Sequence, residues 1–511
     1  MMNRHISIIQ PIFFLLAIFI IFSPTFSLAS VDEEGVILFR RSVTNILSNS
    51  CLRKNNYGVK IYSLDRGETL YEIRSKNLFI PASNAKVITT AVALKYLGPN
   101  YRFSTQIYTD GILENQVLKG NLYIKGSGDP KLVTEQLWLL VNGLRHLPLK
   151  QIKGNIIGDD SFFDKKKRIK TWVENPGAQA YEAPLGSLSF NFNTIKVYVR
   201  PGQKVGDQPE IVIEPENEYI KLENNARTLK PGRRNRLIVN RVDKEDYDLI
   251  TISGGINLGQ PRAQYFLNIT KPTQYTLNTF KSYIELAGIK FDGKLLEGKL
   301  PKNVVELYTH EGEPLALALR GLNKFSNNFV AEQILKTIGA ERFGPPGSTK
   351  KGLNVFKEYI SQLGHESGQY KIFDGSGLSR QNRLSPKIVV DILRNIKNDL
   401  SVYPEFVTAL GVMGVDGNVK HRMRKVESSS KARVKTGTLN FISALSGFFE
   451  SKDGELFAFS ILMNDLKCSN ERAKKIQDQI IQKGLNFRRV PTGSILTDDG
   501  AKLFPSKPSK P

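Results

Sequence analysis

Three short stretches carry side chains able to do acyl-transfer chemistry. In Pro81-Ala82-Ser83-Asn84-Ala85-Lys86 a serine precedes a lysine by three residues, at the opening of a run of small and apolar residues. On a helix that spacing puts both side chains on one face, and the start of a helix offers free N–H groups and a positive dipole end to a developing anion. A serine with a lysine one turn away can be a nucleophile and its base. It can equally be an N-cap followed by a surface lysine, and the same pattern recurs at Ser348…Lys351 and Ser428…Lys431. The second stretch, Lys324-Phe325-Ser326-Asn327-Asn328, opens another helical run, although Ser189-Phe190-Asn191 matches the same Ser-x-Asn form. The third, Lys435-Thr436-Gly437-Thr438, occurs once, just ahead of a strand-like segment near the C-terminus. Singly, each has an ordinary structural explanation. Their order makes them a candidate site.

Together the residues divide the work of acyl transfer. Ser83 attacks a carbonyl and Lys86 removes its proton, which requires a neutral amine. Burial and a second cation, Lys435, would both lower the Lys86 pKa. Ser326 can pass a proton to the leaving amine, and Asn328 can bind the substrate amide. The hydroxyls of Thr436 and Thr438, with the Lys435 charge, suit a terminal carboxylate, and the N–H groups of Ser83 and Thr438 suit an oxyanion hole. Rival chemistries are poorly supplied. The five histidines (His5, His146, His310, His365, His421) lack metal-ligand spacing, and no serine sits in Gly-x-Ser-x-Gly. No metal and no cofactor are expected.

The elements that must position these groups are spread over 511 residues, too long for one ordinary domain. A 40% hydrophobic content builds real cores. Arg4 and His5 precede the apolar run 6–22, and Ser27 and Ala29 suit a peptidase, so residues 1–29 read as a signal peptide cleaved before Ser30. An uncleaved anchor is the competing reading, since the run nearly spans a bilayer. The net charge of +23 implies attraction to polyanions, membrane surfaces or acidic wall polymers, and nucleic acid is a poor partner for an exported chain. Cys51 and Cys468 are the sole cysteines, which excludes a disulfide-stapled scaffold. They allow one disulfide tying the chain ends together, or two separate thiols.

Periodicity predicts a helix over 31–50, strands over 57–64 and 69–73, and a helix from Ser83 to about Leu97. Strands follow over 102–109 and 116–124, a helix over 132–144, a strand over 152–157, and short strands from 188 to 256. Helix returns at 275–286, then a strand near 304–308, helices at 315–322, 328–338, 352–363, 388–396 and 404–410, strands at 443–449 and 456–462, and a helix over 469–482. The two ends of the chain thus build one domain, with the middle inserted into it.

The set Ser-x-x-Lys, Ser-x-Asn and Lys-Thr-Gly is similar to the signature of penicillin-binding proteins and class A β-lactamases. Ser83 and Ser326 stand 243 residues apart (326 − 83), and an insertion of that size resembles the peptidase S13 family, the class C low-molecular-mass penicillin-binding proteins. Further matching stretches are Gly126-x-Gly-Asp-Pro130, Gly158 to Asp164, Ala183-Pro184 with Ser187 to Asn191, Ser326 to Glu332, Asp374 to Arg380 and Lys435 to Leu439. The resemblance implies an α/β (α+β) penicillin-binding/β-lactamase-like transpeptidase domain, an antiparallel sheet with flanking helices. That domain would be formed by 30–98 and 303–490. The inserted region is 99–302, with an outer α/β part (99–181 and 263–302) and an inner all-β part (182–262), and 491–511 is a disordered basic tail.

The implied catalytic set is Ser83, Lys86, Ser326, Asn328 and Lys435. The implied substrate-binding set is Thr436, Gly437, Thr438, Asn440, Arg380 and Asp164, the last favoured over Asp160 as receiver of a diaminopimelate amine. Phe441 departs from the small residue usual there and would narrow the cleft. The activity implied is a periplasmic serine D-alanyl-D-alanine carboxypeptidase/endopeptidase, with peptidoglycan stem peptides or cross-linked muropeptides as substrates and β-lactams as covalent inhibitors. Loose membrane contact and a homodimer stay open. The alternatives are a β-lactamase and a non-catalytic wall-binding scaffold of the same fold.

Overall fold

The computed structural model describes residues 28–172, 177–234 and 236–489. Most of the expected signal peptide and the whole expected tail lie outside these residues. A six-stranded antiparallel sheet joins the two ends of the chain, in the order Glu68–Ile73, Tyr57–Ser63, Leu456–Met463, Ile442–Glu450, Ala432–Leu439 and Gly411–Val412. Its middle strands, Tyr57–Ser63, Leu456–Met463 and Ile442–Glu450, are buried along almost their whole length because both faces are covered. Adjacent side chains therefore enter different cores: Phe449 packs with the helices Leu28–Leu47 and Asn470–Leu485, whereas Phe448 packs with the helical layer opposite.

That helical layer holds the residues of interest. The helix Lys86–Tyr96 is buried along most of its length and packs against Leu315–Phe325, Asn328–Phe343, Thr349–Gln362 and Pro386–Lys397. Cys51 and Cys468 form a disulfide, with 5.1 Å between their Cα atoms. It fastens the ends of the two helices that cover the far face.

Between the Lys86 helix and Leu315 runs a mixed five-stranded sheet, in the order Leu295–Glu297, Ile156–Asp159, Leu122–Gly126, Arg102–Thr109 and Val305–Pro314. The helices Thr134–Leu144 and Pro272–Leu286 share its apolar core. Beyond it stand two three-stranded sheets centred on Thr194–Arg200 and Asp248–Ser253.

Local readings differ from this structure at five places. The strand expected over 116–124 is two, Val117–Lys119 and Leu122–Gly126, which enter different sheets. Lys435 lies inside the strand Ala432–Leu439 and not ahead of one, because pairing with Ile442–Glu450 continues past it on both sides. The strand expected near 304–308 runs to Pro314, because it pairs along the length of Arg102–Thr109. The strand expected over 152–157 is two short ones, Gln151–Ile152 and Ile156–Asp159, which enter different sheets. Ser83 does not open the α-helix but lies in a 3₁₀ turn, Ala82–Ala85, and the α-helix begins at Lys86.

Candidate active site

The turn carrying Ser83 is held by close backbone contacts. Ala82 has φ 48°, and a Cβ on Gly377 would stand 1.9 Å from the Ala82 carbonyl oxygen. With Gly377 itself at φ +80°, that site needs a glycine on two counts. Asn84 donates its side-chain N–H to the Lys435 carbonyl at 3.1 Å, tying the turn to the strand Ala432–Leu439.

Lys86 is fully buried as the first residue of its helix. Its Nζ donates to Ser83 Oγ at 3.0 Å, Asn328 Oδ1 at 2.8 Å and the Ser376 carbonyl at 2.6 Å. Burial pulls its pKa down to about 7, against the opposing pull of the Asp374 and Glu332 carboxyls. A lysine poised there is neutral in a large fraction of molecules near neutral pH, as a general base must be.

Ser326 adopts φ 59° as the left-handed cap of Leu315–Phe325. Asn327 caps the next helix, its side chain accepting from the Val330 N–H at 3.1 Å, and Asn328 opens that helix. Ser-Asn-Asn is thus a corner between two helices, and this is why it can present two side chains to one point. Lys435 Nζ donates to Ser326 Oγ at 3.0 Å and to the Thr436 carbonyl at 2.8 Å. Burial, then the Lys86 charge, push the Lys435 pKa well below the lysine range. The structure therefore brings Ser83, Lys86 and Asn328 into one hydrogen-bonded group and Ser326 and Lys435 into a second, with the two lysines close enough to act on each other's charge. Thr436 is half-buried beside it and Thr438 is exposed, so both hydroxyls are open to a ligand.

The remaining expected site residues are placed differently. Arg380, exposed in the 374–382 loop, donates to the carbonyl of Asn440 at 2.9 Å, in the turn beyond Leu439, where the Asn440 side chain is exposed too. Phe441 follows in the same turn, 64% exposed at φ 63°. Asp164 pairs with the buried Lys336 at 2.7 Å, and Lys336 also donates to the Lys166 carbonyl. Asp160 accepts from Lys167, Ser187 and the Leu188 N–H. Both carboxylates are engaged by this chain's own donors, which leaves the proposed substrate-amine role of Asp164 without geometric support.

Four participants have no role assigned from the sequence. The Ser376 carbonyl is a Lys86 partner, buried Glu332 and Asp374 lie behind it, and the Tyr181 carbonyl accepts from Asn328 Nδ2 at 3.2 Å. Glu332 and Asp374 stand in stretches that resemble the family, but a backbone carbonyl gives no sequence signal. Beside Ser326 and Asn328 opens a cavity of about 840 Å³, lined on its other side by Tyr181, Phe192, Phe266 and Tyr283. Among the described residues no group of His, Cys, Asp and Glu could hold a metal ion.

The family model for the D-Ala-D-Ala carboxypeptidase 3 (S13) family matches residues 39–485. A D-alanyl-D-alanine carboxypeptidase from Actinomadura sp. (strain R39) is 29% identical over 452 residues, covering 85% of this chain and 83% of its own. The D-alanyl-D-alanine carboxypeptidase DacB of Haemophilus influenzae is 24% identical over 438 residues, covering 83% of this chain and 89% of its own. The crystal structure of penicillin binding protein 4 (dacB) from Haemophilus influenzae superposes with a TM-score of 0.75 at 23% identity, over 86% of this chain and 98% of that one. The sheet, its helical layers and the inserted region therefore form a penicillin-binding fold.

Proposed function

The chain belongs to the D-Ala-D-Ala carboxypeptidase 3 (S13) family, and from that premise we propose a penicillin-sensitive serine-type peptidase acting on peptidoglycan stem peptides. The observation that carries this reading is the 3.0 Å contact between Lys86 Nζ and Ser83 Oγ, in a pocket dry enough to hold the lysine near neutrality. Neutral Lys86 takes the Ser83 proton as Oγ adds to the carbonyl of the penultimate residue. The tetrahedral oxyanion is met by the N–H groups of Ser83 and Thr438. Collapse breaks the C–N bond, and the leaving amine takes a proton through Ser326 from the lysine pair, Lys86 and Lys435. Water then hydrolyses the ester and restores Ser83.

When the leaving amine is D-alanine this is carboxypeptidase action; when it belongs to a second stem it is endopeptidase action. A β-lactam presents its strained amide to the same serine. Thr436, Gly437 and Thr438 receive the substrate carboxylate beside Lys435. We read the chain as a peptidase unit, 30–98 and 303–490, carrying the insertion 99–302. Export to the periplasm fits the leader-like N-terminus and the disulfide, and the net charge of +23 suits loose attachment to anionic polymers or lipid.

Fluorescent penicillin should label the protein and fail to label Ser83→Ala. A wild-type protein that stays dark, or a labelled Ser83→Ala variant, overturns the reading. Rapid turnover of the label would favour a β-lactamase. Mass spectrometry of digested peptidoglycan separates loss of D-alanine from cleavage of cross-links.

A further inference from the structure

Behind the lysine lies a buried polar layer that the chemistry above does not use. Glu332 is four residues beyond Asn328 on the same helix, fully buried, and its Oε1 accepts from the N–H groups of Gly375 at 3.0 Å and Ser376 at 2.8 Å. The carbonyls of the same two residues are also taken: Gly375 accepts from Thr89 at 2.6 Å, and Ser376 accepts from Lys86 at 2.6 Å. Asp374, fully buried, receives four donors. Gly377 N–H and Asn382 Nδ2 bond its Oδ1, each at 2.8 Å, and Ser379 N–H (2.7 Å) and Trp172 Nε1 (2.9 Å) bond its Oδ2. The Glu332 Oε2 is buried and finds no partner among the described residues.

The two carboxyls are therefore solvated unequally. Four donors satisfy an ionised Asp374. Beside it, in a dry site, a second negative charge on Glu332 is opposed by burial first and by Asp374 next, and these outweigh the Ser376 hydroxyl and the two N–H bonds that favour the carboxylate. We propose that Glu332 and Asp374 are positioning residues for Lys86. Ionised Asp374 folds the 374–379 loop. Neutral Glu332 holds the Ser376 carbonyl against Nζ, so that a dipole and not a second anion meets the lysine. Trp172 extends this unit into the inserted region. Loss of the Glu332 proton would place a new negative charge beside Lys86, stabilise its ammonium and slow the attack of Ser83. The charged groups around Glu332 are Asp374, Lys86 and Lys336, the last paired with Asp164, and Lys435 faces Lys86 from the sheet side.

This inference rests on the serine-peptidase reading. Its test is the second-order rate of penicillin acylation of the full-length chain against pH, for wild type and Glu332→Gln. The amide keeps the oxygen that accepts from Gly375 and Ser376 but cannot ionise. Wild type should fall off above pH about 8, where Glu332 loses its proton, while the variant stays within about threefold of wild type near pH 7 and moves its alkaline fall upward by a unit or more. An unchanged alkaline limb, or one uniform loss at every pH, overturns the proposal.

Should Glu332→Gln fail to fold, infrared difference spectra of wild-type protein carrying ¹³C-labelled glutamate decide the matter. A buried carboxylic-acid band present at pH 7 and lost by pH 9 supports it, and a carboxylate at pH 7 overturns it. Wild-type protein that penicillin does not acylate would remove the peptidase reading, and the infrared titration would still report on Glu332.

Discussion

Gly437 in the Lys-Thr-Gly strand lies so close to the turn before Ser83 that a Cβ there would stand 2.7 Å from the Pro81 carbonyl oxygen and 3.1 Å from the Asn84 nitrogen. The strand and the Ser83 turn are therefore in close contact, and the distance from Lys435 to Ser83 is set by the absence of a side chain at Gly437. Gly437→Ala should push the two apart and lower the penicillin acylation rate at least tenfold, with a stability loss of about 1–3 kcal/mol from overpacking. Stopped-flow acylation beside a thermal melt would check both, and an unaffected rate would count against the contact.

The base should be dispensable for folding but not for chemistry. Lys86→Ala is expected to cost about a thousandfold or more in acylation rate, since residues acting as a unit fail together. Asn328→Ala removes one of the three acceptors that hold Nζ and should cost less. Intact-mass measurement of the penicillin adduct over time reads both variants.

Acylation should rise with pH through about 7, because Lys86 works as a base only when unprotonated and burial holds its pKa there. The sign is fixed: below that pH the ammonium predominates and the rate falls tenfold per unit. A rate flat between pH 5.5 and 7.5 would require another base.

Asp164 separates a structural role from a substrate role. Lys336 is buried and paired with it, so Lys336→Met or Asp164→Asn should destabilise the fold, by about 3 kcal/mol where a buried charge is left alone. The ratio of rates on stem peptides with and without a diaminopimelate amine should not change. A lost preference at unchanged melting temperature would restore the substrate role.

The Cys51–Cys468 bond closes a sequence separation of 417 residues. Reduction, or the double Cys51→Ser/Cys468→Ser variant, should lower stability by about 2–5 kcal/mol. Calorimetry with and without reductant measures it.

Much of this was legible in the residues themselves. Ser83, Lys86, Ser326, Asn328 and Lys435 could be picked out because nucleophile, base and cation chemistry demands particular side chains, and these stand in the order of a known motif set. Apolar periodicity at the two ends gave a domain built from both termini, and the fold class came from the family resemblance of the three motifs with the long gap between Ser83 and Ser326. Less visible was anything held by backbone. The Ser376 carbonyl on Lys86, the Tyr181 carbonyl on Asn328 and the close approaches at Gly377 and Gly437 depend on where distant segments meet. Asp164 and Arg380 show how packing adds partners that residue types do not reveal. Their side chains suit a ligand, yet tertiary packing gives Asp164 to Lys336 and sets Arg380 against the Asn440 carbonyl. Sequence alone thus determined which chemical groups this protein owns and the order in which the chain delivers them. Tertiary structure decided which are buried, and burial sets the charge of Lys86, Glu332 and Lys435, because removing water costs an ion far more than it costs a neutral group.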